Sequence, residues 1–342
     1  MALGKRSVQV NLGSPEGLAI ARQLATKADI VTSNFGTGVM ERFGLGAEDL
    51  LKLNPEMIVC AISGYGQTGP YRNYMGYGQA AVPLSGISAL TGYERGKPQE
   101  VHIAYGDPVA GVFGALGIAA AVVARQRFGG GQYIDVSLWE SLVASGFEGW
   151  MAAALPPHPA DNPELFPMGN RDPWSAPHNC YRCAGEDAWV SIAVTDEQQW
   201  TALCAAMGQP ALAQDPRFRT AQDRKAHEDE LDALIGAWTG SLERWDVTRK
   251  LQAAGVPAFP SLDAQDLTDD PHLAARGYFD LHPHPEVGVR PHLGVPWRMT
   301  ERPNGAPGPA PLLGQHTAEV LQEWLGADET QVAMWQAAGI LK

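Results

Sequence analysis

Cysteine is scarce in this sequence. Cys60, Cys180, Cys183 and Cys204 are the four in 342 residues, too few for a secreted disulfide framework in a chain of this length. Cys180 and Cys183 form a lone Cys-x-x-Cys. Zinc would need a second ligand pair at suitable spacing, and none is evident, so no metal site is expected. A thioredoxin-like pair would open a helix, whereas Cys180-Tyr181-Arg182-Cys183 reads as a strand running to a turn. Positive charge is also in short supply: 25 Lys and Arg against 38 Asp and Glu give a formal net charge of −13. That argues against nucleic acid or an anionic membrane as the main partner. An anionic small molecule stays open, because a local arginine and backbone N–H groups can override the global sign. Long apolar runs are missing apart from Val109 to Ala124. That run barely reaches the ~17–25 residues a membrane span needs. It is broken by Gly111, Gly114 and Gly117, so it reads as a close-packed internal helix. Met1 to Val8 is short and basic and lacks an apolar core, so no signal peptide is read there. A soluble cytoplasmic protein is expected.

What is present is an ordinary globular balance, 45% hydrophobic and 18% charged, in a chain long enough for two domains. Val8 to Leu12, Asp29 to Thr32, Met57 to Ser63 and Tyr133 to Val136 read as strands alternating with helices, the mark of an α/β domain. Met57 to Ser63 is apolar throughout, as in a parallel sheet covered on both faces. Gly64-Tyr65-Gly66-Gln67-Thr68-Gly69-Pro70 follows it, where open α/β sheets bind ligands. The loop matches neither a dinucleotide fingerprint nor a phosphate loop. Leu138 to Ala154 reads as one helix. Leu155 to Pro167 carries five prolines and suits a linker. Beyond it, Cys180 to Val194 reads as a hairpin turning at Gly185-Glu186-Asp187. Polar helices follow between Glu197 and Ala254, and two amphipathic helices close the chain between Leu313 and Leu341.

The junction Tyr105-Gly106-Asp107-Pro108 organises the rest. Val101 to Tyr105 reads as a buried strand and Val109 to Ala124 as a helix, with Asp107 at the N-cap and Pro108 at the first helical position. Orphan N–H groups and the positive helix end stabilise a carboxylate there. A carboxylate held on such a corner can act as a nucleophile, although most Asp residues at helix starts only cap.

Several segments together resemble the class III CoA-transferases, the CaiB/BaiF-type family that includes formyl-CoA and carnitine CoA-transferases and the α-methylacyl-CoA racemases. They are Ser33 to Val39 with Arg42 to Leu45, Ile62 to Pro70, Gly131 to Leu138, Gly169 to Pro173 with Ala176-Pro177, and Pro311 to Thr317. The resemblance implies a Rossmann-like open parallel sheet in a large domain, with a smaller α+β domain. The large domain would be residues 1–165 completed by 295–342, and the small one 179–289. Linkers at 155–178 and 290–311 would thread an interlocked homodimer.

By the same resemblance Asp107 is the nucleophile of a covalent relay that moves CoA between an acyl-CoA and a carboxylic acid. Coenzyme A is then a substrate, and no cofactor is implied. Asn34, Phe35 and Gly36 map to the CoA-binding loop, Arg42 to a phosphate contact and Tyr77 to an active-site position. Gly169 and Asn170 open a segment, Gly169 to Pro173, that maps to a mobile lid; its plainer reading is an interdomain loop. The racemases carry Gly-His-Asp where this chain has Gly76-Tyr77-Gly78, and without that His a two-base proton exchange loses a partner. Racemisation of 2-methylacyl-CoA is therefore the alternative enzyme reading. Family members also begin with one or two strand–helix units ahead of the segment matching Arg6 to Leu12, which motivates a third reading, a non-catalytic CoA-binding subunit. Phe113, Trp139, Trp150 and Trp174 are either core or liners of an acyl pocket.

Overall fold

The computed structural model describes residues 3–94, 96–101, 103–154, 167–301 and 305–341. The proline-rich stretch at 155–166 lies outside the described residues. The chain divides into two compact units, one of residues 1–87, 101–147 and 268–342, the other of residues 88–100 and 148–267. The segment 268–289, expected with the small domain, falls in the first unit.

In the first unit, Ser14 caps α1 (Pro15–Lys27) by accepting the Gly17 N–H, with Pro15 at the helix start. β1 (Ile30–Ser33) leads through α2 (Val39–Arg42) and α3 (Ala47–Leu53) to β2 (Ile58–Ser63). The short α4 (Gly78–Leu84) follows; α5 (Ile87–Leu90) belongs from residue 88 on to the second unit, and the first continues with the long α6 (Gly106–Phe128), β3 (Gln132–Ser137) and α7 (Leu138–Ser145). The three strands make a parallel sheet in the order β1-β2-β3. Central β2 is buried except at Ile62, because both of its faces are covered.

One face of the sheet receives α6. A Cβ on Gly114 would stand 2.8 Å from Ile62 Cδ1, and one on Gly117 3.2 Å from Ile134 Cγ2. The helix therefore rests on the strands through glycines. Val59, Val31, Leu45 and Leu50 pack together on the other side. By length and composition α6 could cross a membrane, and the expectation of an all-round packed helix is half right. Val112 and Leu116 are 69% and 63% exposed, so its outer face is open in the single chain.

The second unit, entered first at residues 88–100, resumes within α8 (Phe147–Ala154); Gly146 ends α7 and splits the single helix expected over 138–154. Its core is an antiparallel sheet of β4 (His178–Arg182), β5 (Trp189–Ala193) and β6 (Ala258–Pro260). The helices α9 (Glu197–Ala206), α11 (Glu228–Thr239) and α12 (Arg244–Ala253) contribute Leu203, Ile235 and Leu251 to a core shared with Val190 and Phe218, with α10 (Ala221–Ala226) between α9 and α11 in the chain. Buried Arg224 bonds Glu197 and the Ala176 carbonyl.

After α13 (Ala264–Asp269) the chain re-enters the first unit with α14 (Pro271–Ala275). A hairpin of β7 (Phe279–His284) and β8 (Gly288–Leu293) follows, then α15 (Thr317–Leu325) and α16 (Glu329–Ala337). Leu321, Val332 and Ile340 pack on Ile20 of α1. The strand expected at Val8 to Leu12 is reduced to a single bridge, Val10 with Leu341.

Candidate active site

The carboxyl end of β2 opens into the glycine-rich loop Gly64 to Pro70, as the strand-end rule anticipates. Asp135 of β3 fastens this loop, both carboxylate oxygens accepting the Gln67 N–H at 3.0 Å. Beside it, three backbones meet through glycines. A Cβ on Gly64 would lie 3.1 Å from Gly76 Cα, and one on Gly106 3.2 Å from Gly78 Cα. Only residues without side chains let the end of β2, the start of α4 and the start of α6 approach so closely. An apolar cluster of Ala81, Val82, Ala110, Leu138 and Leu142 locks α4, α6 and α7 beneath that joint. Ser137 caps α7 by accepting the Glu140 N–H, and Trp139 N–H donates to the Gly64 carbonyl.

Asp107 sits on this joint with its side chain exposed. Its place differs from the expectation by two residues. Helix α6 begins at Gly106, Tyr105 is the N-cap with helical dihedrals, and Asp107 is the second helical residue. It therefore lies in the first turn, where the positive helix end still acts, and no side-chain hydrogen bond caps the helix. The strand expected at Val101 to Tyr105 does not form in its described residues, which run as loop and turn. The Asp107 carboxylate lies against Gly78: a Cβ there would stand 2.1 Å from Oδ2. Tyr77, next to Gly78, is 65% exposed, so the structure brings Tyr77 and Asp107 to the same joint.

Asn34, Phe35 and Gly36 follow β1 as an exposed loop. Phe35 and Gly36 line a small cavity with Ser33, Glu41, Gln67 and Tyr133. Thr37 Oγ1 donates to the Arg72 carbonyl at 2.7 Å, tying this loop to the chain beyond Pro70. Arg42, at the end of α2, is exposed and has no hydrogen bond or ion pair from its guanidinium among the described residues. Burial, then the Asp135 charge, pushes the Tyr133 phenol up to about 12.

Gly169 and Asn170 belong to the second unit. They line a cavity of about 350 Å³ with Arg171, His178, Asn179 and Phe259. The segment expected as a lid is fastened on both sides of Arg171. Its guanidinium bonds Glu94 at 3.1 Å, Asp229 at 2.6 Å and Asp232 at 3.0 Å. Burial pushes the Asp172 carboxyl up, but the N–H groups of Trp174 and Ser175 that it accepts, with the Ser175 side chain and His178, together hold it below the usual range. Lys225 Nζ donates to the Asp172 carbonyl.

Two features escaped the sequence reading. One is the Asp135 anchor, whose only signal is an acidic residue between the apolar Ile134 and Val136. The other is a four-ring cluster of Tyr65, Tyr71, Tyr74 and Trp139, in which Tyr71 and Tyr74 stack at 4.9 Å. The spacing of the three tyrosines around Gly69-Pro70 was its signal. Of the aromatics weighed as pocket liners, Trp139 joins this cluster, while Trp150 and Trp174 are 60% and 81% exposed and form no core.

The profile of CoA-transferase family III matches residues 1–317. A succinyl-CoA–D-citramalate CoA-transferase of Chloroflexus aurantiacus is 37% identical over the whole chain and 83% of its own length. A succinate–glutarate CoA-transferase of Agrobacterium fabrum is 33% identical over 94% of the chain and 78% of its own. A solved CaiB/BaiF family protein from Brucella suis superposes with a TM-score of 0.83 at 32% identity, over 94% of this chain and 82% of that one. The parallel sheet, the glycine joint at its carboxyl end and these likenesses agree: the chain belongs to CoA-transferase family III and is a CoA-transferase.

Proposed function

We propose that Asp107 is the nucleophile of a covalent relay between an acyl-CoA and a free carboxylic acid. The Asp107 carboxylate attacks the donor thioester carbonyl, the C–S bond breaks, and CoA leaves as thiolate from an acyl–aspartyl anhydride. The thiolate attacks the aspartyl carbonyl, giving an aspartyl-CoA thioester and releasing the donor acid. The acceptor carboxylate displaces that thiolate to form a second anhydride. The thiolate then attacks the acceptor carbonyl, which yields the new acyl-CoA and restores the carboxylate. No proton or phosphate is consumed, because each step exchanges one activated acyl group for another. Tetrahedral intermediates need N–H donors close by, and the glycine-rich loop lets backbone approach.

The observation that carries the reading is the exposed Asp107 carboxylate on a rigid joint at the carboxyl end of the central strand. Arg42, unpaired among the described residues, and the open Asn34–Gly36 loop are the groups to hold the phosphates and the rest of CoA. The named substrates of the relatives support succinyl-CoA as donor and a short hydroxy- or dicarboxylic acid as acceptor. The exposed apolar face of α6 supports a homodimer, to be weighed by light scattering. Four free cysteines are consistent with a cytoplasmic setting. The test is trapping: incubation with succinyl-CoA and hydroxylamine, then peptide mapping, is expected to leave a hydroxamate on Asp107. Absence of that adduct, with the D107A variant as active as the parent, would defeat the reading.

A further inference from the structure

We propose that Gly78 is a positioning residue for Asp107: the space its missing side chain leaves is the space the attacking carboxylate occupies. This rests on the reading of Asp107 as nucleophile. A Cβ on Gly78 would stand 2.1 Å from Asp107 Oδ2 and 3.0 Å from its Cγ. The first is closer than real Cβ atoms come to any neighbour and the second is tight, so a side chain at 78 and the present carboxylate position exclude one another.

Which of the two gives way follows from what surrounds them. Gly78 is buried, and its backbone is fixed against Gly106, whose own Cβ would meet Leu138 Cδ2 at 2.6 Å. The start of α4 is held in turn by Ala81 and Val82 in the apolar cluster with Ala110 and Leu142. The carboxylate is the free end of an exposed side chain. A methyl group at 78 therefore leaves the backbone where it is and swings the carboxylate outward by a rotamer change. A nucleophile moved by about 1 Å loses on the order of 100-fold in rate. The chain thus uses the absence of a side chain at 78 to set where the attacking oxygen stands, a role visible only once the helix start and the α4 start are seen together.

The experiment pairs kinetics with a double-mutant cycle. G78A is expected to lower kcat on the order of 100-fold, to leave KM for succinyl-CoA near the parent value, and to slow hydroxylamine trapping at Asp107 in step. G111A, at a site of α6 with nothing within 4 Å, is expected to keep the parent kcat. Thermal melts of G78A, D107A and G78A/D107A then read the steric clash without activity. Any loss of Tm from G78A is expected to vanish in the D107A background, where Cγ and Oδ2 are gone. A parent-like kcat and trapping rate in G78A would overturn the proposal. So would an equal Tm loss in both backgrounds. Failure of the parent itself to be trapped at Asp107 would instead sink the nucleophile reading, and the melts would still report whether residues 78 and 107 compete for space.

Discussion

Asp135 accepts the Gln67 backbone N–H with both carboxylate oxygens, each at 3.0 Å, across 68 residues of sequence. The carboxylate thereby pins the glycine-rich loop to β3, next to the strand whose end carries the site. A charged acceptor to a backbone N–H is worth roughly 1.5–3 kcal/mol. D135A is expected to lower stability by about that much and to reduce kcat by loosening the loop, with D135N intermediate. The same carboxylate is the second cause, after burial, of the high Tyr133 phenol. Ultraviolet titration of D135N should bring Tyr133 down from about 12 while leaving it above its ordinary 10.0, because burial remains.

Arg42 offers a guanidinium unpaired among the described residues, on the exposed end of α2. If it holds a CoA phosphate, R42A should raise KM for acyl-CoA roughly 10- to 100-fold, the worth of one charged hydrogen-bonding contact, with kcat little changed. R42K should recover only part of that, since an ammonium cannot fork onto a phosphate. Equal KM values in parent and R42A would assign the arginine to solvent.

Gly111 and Gly114 stand one turn apart on α6 and meet different surroundings. A Cβ at 114 meets Ile62 Cδ1 at 2.8 Å, whereas nothing stands within 4 Å of one at 111. G114L is expected to destabilise by about 1–3 kcal/mol through overpacking against β2 and to lower kcat by shifting the helix that carries Asp107. G111A is expected to gain up to roughly 1 kcal/mol from helix propensity. Urea unfolding of both variants reads the difference.

Arg171 binds carboxylates that are themselves largely buried: the side chains of Glu228 and Asp232 are 8% and 16% exposed. Removing the arginine leaves Glu228 to Lys225, and Asp232 to the Tyr181 hydroxyl and the Asn179 amide, and R171A is expected to cost roughly 1–3 kcal/mol at neutral pH. Burial already holds the Glu228 carboxyl above its ordinary value, opposed by Lys225 and Arg171. Without Arg171 its folded pKa rises further above the unfolded one, so the folded variant binds more protons and gains stability as pH falls. The deficit of R171A relative to the parent should therefore shrink between neutral and mildly acidic pH. A deficit that stays constant or grows would show that the carboxylates do not carry it.

Local pattern made much of this fold readable. The apolar run Ile58–Ser63 is the buried central strand because period and burial agree there. Gly185 to Asp187 does turn a hairpin, between Arg182 and Trp189. Val8 to Leu12 alternates like a strand but becomes one, in the described chain, only at the Val10 bridge, since no neighbouring strand reaches it. Pairing is a tertiary property that alternation cannot supply. Val101 to Tyr105 failed for a related reason: its β-branched residues lead into a helix that starts earlier than Asp107-Pro108 suggested. The candidate site was legible in the same uneven way. Asp107, Arg42 and the Asn34 loop sit on recognisable motifs. Gly78 and Asp135 act through contacts that span 29 and 68 residues of chain, and a linear pattern carries no sign of which glycine faces which carboxylate.

The central claim is that the Asp107 carboxylate becomes part of the reacting acyl group. It is tested most directly with an acceptor acid carrying heavy oxygen in its carboxylate. In the relay each turnover leaves one acceptor oxygen in the Asp107 carboxylate and passes one Asp107 oxygen to the released donor acid. Peptide mass spectrometry after a single turnover should find the heavy isotope in the peptide holding Asp107 and nowhere else in the protein. Turnover with no isotope in that peptide would contradict the account.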